Sequence, residues 1–376
     1  MERIGIFGGS FNPVHKEHYK IAKGAIEELS LDKLYVVPTF LSPHKKSAVM
    51  ASGEDRFNML KICFSDLPKT EVCDYELKAQ GVSYTYLTIL HFKKLHPNAK
   101  LYLIMGSDML ENFPTWKNPE IITENATLAL LERRGDGINT QKIVDIVKNR
   151  FNANVEVLKE FGTTYSATEI RVKCALGLSV SEFLDGGVAD YIKLHNLYQG
   201  DEYYNYVKRA LPEKRLIHTA GVIITALKYA KALGVDSKKA ELSALLHDVA
   251  KYVDINSVPK GVVPSDCPIE VAHQYVGEYI ANKVLGVKDE EVLNAIKFHT
   301  TGRPNMTALE KIIYISDLLE PSRKYIGVDE LRQAVLKDFN EGFIVCINEV
   351  LQFLQKQGGE IYPLTIETTK YYNESV

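Results

Sequence analysis

The sequence predicts two domains of different class, an α/β domain with helices on both faces of a parallel sheet and then an all-α domain. Three observations carry this. Over the first half, short β-branched runs alternate with longer amphipathic stretches, the pattern of parallel strands joined by crossover helices. From about Tyr198 to Gln357 strand signals nearly vanish and helical periodicity takes over. At 376 residues, 45% hydrophobic and 25% charged, the chain is long enough for two ordinary globular cores.

In chain order, strands are expected at 4–7, 34–38, 71–73, 100–105, 126–131 and 155–158. Helices are expected between them at 18–29, 53–64, 85–95 and 140–150. Ligands on such sheets gather at the carboxyl ends of the strands, where the strand order reverses. Gln199-Gly200-Asp201-Glu202 is a polar break. Beyond it, helices are expected at 203–210, 215–233, 236–249, 269–285, 290–299, 308–319 and 328–357. The domains are thus read as 1–199 and 202–360, with 361–376 a short polar tail that frays.

A net charge of −3 argues against general affinity for nucleic acid or an anionic membrane, while leaving room for local basic pockets. No basic segment followed by an apolar stretch opens the chain, and no run approaches 18 apolar residues. The five cysteines are scattered without C-x-x-C spacing, which fits buried thiols in a reducing compartment. The reading is a cytoplasmic protein, with homodimerisation left open.

The first strand ends in Gly8-Gly9-Ser10-Phe11, and His15 and His18 lie three apart at the entrance of the next helix. Glycines let backbone amides approach a phosphate, the helix start adds positive dipole, and both rings can face one anion. Lys45, in Pro43-His44-Lys45-Lys46, can offer a cation to a pyrophosphate. Ser166-Ala167-Thr168-Glu169-Ile170-Arg171 reads as a hydroxyl-rich helix start with a bidentate donor one turn on.

Together these residues resemble the nucleotidyltransferase superfamily, whose signatures are an H-x-G-H turn and an I-S-S-T-x-I-R-like helix start. Glu17 stands for the usual glycine and Ala167 for the second serine. The resemblance implies a Rossmann-like nucleotidyltransferase domain, and internal motifs bring it nearest to the bacterial nicotinate-nucleotide adenylyltransferases. Ser83-Tyr84-Thr85 matches the segment whose backbone holds the nicotinate carboxylate, and Gly106-Ser107-Asp108 with Trp116 matches the G-x-D…W region. Trp116 offers an aromatic face to a pyridinium ring. Leu87 stands where an acidic residue often follows the S-Y-T segment, so that ordering group is missing.

The implied reaction is adenylyl transfer from Mg2+-ATP to nicotinate mononucleotide, releasing pyrophosphate. His18 is assigned to the α-phosphate, and His15, Lys45 and Arg171 to the β- and γ-phosphates. Gly8, Gly9, Ser10, Phe11, Tyr84, Thr85, Asp108, Trp116, Ser166 and Thr168 are assigned to substrate binding. A change of acceptor, such as pantetheine phosphate, is the alternative; the S-Y-T segment and Trp116 speak against it.

In the helical half, His218, His247-Asp248, His273, His299 and Asp317 stand out. An aspartate within the apolar Ala244–Lys251 stretch needs a partner, and imidazoles with carboxylates suit iron, manganese or zinc better than calcium. The order H…HD…H…H…D resembles the HD-domain metallophosphohydrolases, most closely the bacterial members that act as symmetrical diadenosine tetraphosphate (Ap4A) hydrolases. It implies one or two transition-metal ions, iron first among them, held by these six residues and bridged by Asp248. His273 departs from the usual His-Gly pair, since Gln274 follows it. Lys251 and Arg303 are candidate phosphate contacts. The implied reaction splits Ap4A into two ADP; a different nucleotide phosphohydrolase or a non-catalytic nucleotide sensor is the alternative.

Overall fold

A computed structural model of the chain describes residues 1–41, 50–131, 140–159 and 165–374. Lys45 and its neighbours His44 and Lys46 lie outside the described residues, as does the side chain of Asp108. The chain divides into two compact units, Met1–Arg171 with Ser179–Tyr198, and Val172–Leu178 with Gln199–Val376.

The first unit is built on six parallel strands: β1 (Arg3–Gly9), β2 (Lys33–Pro38), β3 (Thr70–Val72), β4 (Lys100–Gly106), β5 (Ala126–Leu131) and β6 (Val155–Leu158). Their order is β3-β2-β1-β4-β5-β6, the doubly wound arrangement expected from the alternation. The order reverses between β1 and β4, which pair from Arg3 with Lys100 to Phe7 with Ile104. Both strands therefore deliver their exits, Gly8-Gly9-Ser10 and Gly106-Ser107-Asp108, to the same crevice. β5 is buried along its whole length, so its residues, apolar but for Thr127, run without alternation. One face of the sheet packs a core around Ile4, Ile6, Leu101, Leu103, Leu128 and Phe92.

The second unit is helical and has a separate core, centred on Val222, Ile223, Leu245, Ile296, Ile312, Ile315 and Phe343. Its long helix Glu213–Leu233 is, among the described residues, the one helix long and apolar enough to cross a membrane by length and composition. Ten of its residues are buried inside the unit, His218 among them, which fits a core helix.

Helices Pro119–Asn125 and Gly186–Leu194 stand outside the expected set, and two elements of the helical unit differ from expectation. The stretch read as one helix over 328–357 is two, Val328–Lys337 and Phe339–Gln357. Asp338 adopts extended backbone between them and caps the second through its carboxylate, which accepts from Glu341 N–H at 2.8 Å. Gly342 then lies against the first helix, where a Cβ would come within 2.4 Å of Val335 Cα. The last residues, read as a frayed tail, form the helix Pro363–Glu374 with Thr365, Thr368, Thr369 and Tyr372 buried. Tyr372 anchors it by accepting from Met306 N–H at 2.6 Å and packing edge-on against Phe343. Its polar composition hid this, because threonines satisfy their hydroxyls on the helix's own carbonyls.

Candidate functional site

The first site is assembled at the exit of β1. Beyond Gly8 a Cβ would meet nothing within 4 Å, so the backbone faces open space; at Gly9 it would touch the Phe11 ring at 3.0 Å. Both glycines thus leave room that a side chain would take. Helix Lys16–Glu28 follows, with His15 as its N-cap. His15 N–H donates to His18 Nδ1 at 3.2 Å, so the neutral His18 ring carries its proton on Nε2. The two rings lie 3.7 Å apart, and Phe11 meets His18 edge-on at 5.0 Å.

Arg171 reaches this turn from 159 residues away. Its guanidinium donates to Asn12 O at 2.8 Å and to Thr168 Oγ1 at 3.1 Å. Ser166 Oγ accepts from Glu169 N–H at 3.3 Å, as a helix N-cap does. Tyr165 sets its ring 5.5 Å from His15. The structure therefore brings His15, His18, Ser166, Thr168 and Arg171 to one place.

The S-Y-T segment is pinned beside the exit of β2. Phe40 N–H donates to Ser83 Oγ and Ser83 N–H to Leu41 O, both at 2.9 Å. Thr85 opens helix Thr85–Leu95, whose N-terminus takes no cap from the Tyr84 side chain. Within this first turn Leu87 N–H donates to Tyr84 O at 2.9 Å. Lys117 lies over the Tyr84 ring at 4.4 Å, while Trp116 packs half-buried against Phe113 at 5.4 Å.

Leu87 left the segment without an acidic anchor in sequence; the fold supplies one from upstream. Glu76 is buried and accepts from Thr88 Oγ1 at 2.6 Å, one helical turn into the same helix. Burial pushes its carboxyl above the ordinary range, against the opposing pull of the Thr88 and Ser83 hydroxyls.

The second site lies wholly in the helical unit. His218, His247 and Asp248 form one buried donor group, and Asp248, His273 and His299 form another. Asp248 serves both through different oxygens. Oδ2 lies 3.5 Å from His247 Nε2 and 3.8 Å from His218 Nε2, while Oδ1 lies 3.4 Å from His273 Nε2 and 3.8 Å from His299 Nε2. Asp317 Oδ1 joins the first group 3.0 Å from His218 Nε2.

The tautomers follow from what the far ring nitrogens touch. His247 Nδ1–H donates to Ala244 O at 2.6 Å, His299 Nδ1–H to Ile296 O at 2.7 Å, and His218 Nδ1–H to Glu320 Oε1 at 3.1 Å. In the neutral rings of His218, His247 and His299 the Nε2 lone pair then points inward. His218 and His247 bring theirs within 3.3 Å of each other, and His299 brings its own within 3.2 Å of His273 Nε2. Facing lone pairs beside buried carboxylates need positive charge between them, so the donor set fits divalent cations.

Electrostatics agree. Burial lowers the His247 pKa to about 4 and, with His299 and Lys251 nearby, that of His273 to about 3. Burial opposes ionisation of Asp317, yet the His218 and His247 imidazoles beside it hold it below the usual carboxylate range. Asp248 is held low in the same way by His247 and His299.

Lys251 stands at the rim, its ammonium 3.9 Å from Asp248 Oδ1. Arg303 stands apart, since its guanidinium donates to both oxygens of the buried Glu310 at 2.7 and 3.1 Å. Gln274, in place of the usual glycine, is fully buried and bonds Thr301 through its side-chain amide, tying the His273 helix to the His299 segment. Gly277 performs the close approach, where a Cβ would lie 3.6 Å from His247 O.

Comparison with known proteins bears on both sites. Residues 6–173 match the cytidylyltransferase-like family and residues 215–322 the HD domain. A Mycoplasma pneumoniae protein named probable nicotinate-nucleotide adenylyltransferase/Ap4A hydrolase is 31% identical over 93% of this chain and 99% of its own length. This chain belongs to that two-domain family. Separate relatives match each half of the family's architecture. A probable nicotinate-nucleotide adenylyltransferase of Clostridium tetani is 37% identical over 53% of this chain and all of its own length. A symmetrical bis(5'-nucleosyl)-tetraphosphatase of Bacillus subtilis is 41% identical over 43% of this chain and 91% of its own.

Several residues of this family member escaped sequence reasoning. Arg56 is fully buried and donates to Ser10 O at 2.9 Å and Ala51 O at 3.2 Å. Asn12 Oδ1 accepts from Ala51 N–H at 3.1 Å and from the Tyr198 hydroxyl at 2.8 Å. These hold the Ser10–Asn12 turn from three sides. At the second site Arg215 pairs with Asp248 and Arg323 with Asp317, each at 2.7 Å. A lone arginine on a helix carries no sequence signal that distinguishes such a role from a surface charge.

Proposed function

We propose that the chain is a bifunctional enzyme, transferring adenylate from ATP to nicotinate mononucleotide at the first site and hydrolysing Ap4A to two ADP at the second. The observation that carries this is the occurrence of both sites, in this order, in a chain that aligns almost end to end with a relative named for both activities.

At the first site ATP enters as its Mg2+ complex. The acceptor's 5'-phosphate oxygen attacks the α-phosphorus, and the bond to the departing pyrophosphate breaks. No side chain is modified; positioning and charge neutralisation carry the acceleration. His18 donates from Nε2–H to an α-phosphate oxygen. His15 and Arg171, with Lys45, steady the β- and γ-phosphates, and Ser10 and Thr168 add oxygen contacts. Gly8, Gly9 and Phe11 shape the backbone cradle. The helix start at Thr85 receives the nicotinate carboxylate, and Tyr84 and Trp116 flank the pyridinium, with Asp108 at the β4 exit.

At the second site His218, His247, Asp248 and Asp317 hold one divalent ion, and Asp248, His273 and His299 a second, iron being our assignment. When bound, such ions supply Lewis acidity at phosphoryl oxygens and acidify water. The chain's own part is to fix the imidazole tautomers, exclude bulk water behind a buried cluster and present Lys251 to a phosphate. Arg303 is left to hold Glu310.

The test is direct. Purified full-length protein given ATP and nicotinate mononucleotide should form the dinucleotide with one pyrophosphate each. Given Ap4A, it should yield ADP alone; AMP with ATP would contradict the symmetrical reaction.

A further inference from the structure

The two donor groups of the helical unit share Asp248 but are built differently. The first offers four donor residues and the second three. Behind the first stands Glu320, only 1% exposed, accepting from His218 Nδ1–H at 3.1 Å. The chain makes space for this carboxylate. Gly221, three residues along from His218, lies where a Cβ would come within 2.4 Å of Glu320 Oε2. Ser322 donates both its hydroxyl and its N–H to Glu320, the latter at 2.7 Å. A carboxylate on the far nitrogen makes an imidazole more basic and fixes its plane.

The second group has the opposite surroundings. Among the described residues no oxygen accepts from His273 Nδ1. Instead the Lys251 ammonium faces the ring, 3.5 Å from Nδ1 and 3.2 Å from Nε2. It sits where it repels any second cation held by His273 and His299. Arg215 and Arg323 do add positive charge near the first group, but each is paired with one of its carboxylates. Glu320 further offsets Arg323, at 3.7 Å.

We infer that the two metal positions are unequal: the His218–His247–Asp248–Asp317 position binds first and tightly, through Glu320, and the Asp248–His273–His299 position binds second and weakly, against Lys251. Glu320 is a positioning residue for His218, and Lys251 is the cation a second metal must displace. This rests on the two-metal reading of the preceding section.

The test is a calorimetric titration of metal-free, full-length protein with Mn2+, with Asp248→Ala as the background. The wild type should take up two Mn2+ with affinities at least about tenfold apart. Glu320→Gln should weaken the tighter step by about tenfold to a hundredfold and leave the weaker one unchanged. Lys251→Met should strengthen only the weaker step, by about tenfold. Circular dichroism of each metal-free variant checks folding, and Lys251→Met, half-exposed, decides the matter if Glu320→Gln does not fold. Two equal affinities, or a Glu320→Gln effect on the weaker step, would overturn the inequality while leaving two metals. Uptake of fewer than two Mn2+ above background would sink the two-metal reading and the inference with it.

Discussion

His18 shows how a single hydrogen bond decides a ring's role. With Nδ1 occupied by the His15 N–H, the neutral ring carries its proton on Nε2, the donor proposed for the α-phosphate. Removing such a donor from a site of developing charge typically costs about a hundredfold to a thousandfold in rate. His18→Ala should therefore lower kcat for adenylyl transfer by that order with little change in melting temperature. Arg56 is the converse case, a fully buried guanidinium that holds backbone carbonyls. Arg56→Leu should cost about 2–3 kcal/mol in a denaturant titration, since charged donors make the stronger hydrogen bonds and their acceptors would stay buried. The histidines were legible because imidazoles three apart at a helix entrance are unusual. Arg56, Asn12, Tyr198 and Glu320 were not, because the partners that tie them to the sites (Ser10 for Arg56, Ala51 and Tyr198 for Asn12, His218 for Glu320) lie 39 or more residues away and only the fold makes them neighbours.

At the scale of elements, the six strands were readable from β-branched runs, and most helices from their periodicity. Failures occurred where local and tertiary signals parted. Helical spacing continues through 328–357, and only the Asp338 cap and the packing of Gly342 against Val335 reveal the break. Asp338→Ala should destabilise the helical unit by about 1 kcal/mol, as the loss of an aspartate cap generally does, measured as a shift in denaturant midpoint. An unchanged midpoint would mean that packing alone breaks the helix. The acidic anchor of the S-Y-T segment was sought just after it and found before it, at Glu76, because a helix-turn neighbour can come from either direction in sequence. The expected ligand set of the helical unit came together as two groups hinged on Asp248, and their second layer, Glu320 and the carbonyls of Ala244 and Ile296, carried no sequence pattern.

For the whole molecule the central claim is that two phosphate chemistries share one chain without sharing residues. Each donor set lies within one of the two compact units, and each unit has its own core. The sequence announced the division through a change of texture near residue 200, because parallel strands and core helices leave different periodicities. The most direct measurement is a paired assay of three full-length proteins, wild type, His18→Ala and Asp248→Ala, each scored for dinucleotide formation, Ap4A hydrolysis and bound metal. His18→Ala should lose the transfer and keep hydrolysis and metal; Asp248→Ala should lose metal and hydrolysis and keep the transfer. Loss of both activities in either folded variant, or full metal content in Asp248→Ala, would contradict the account.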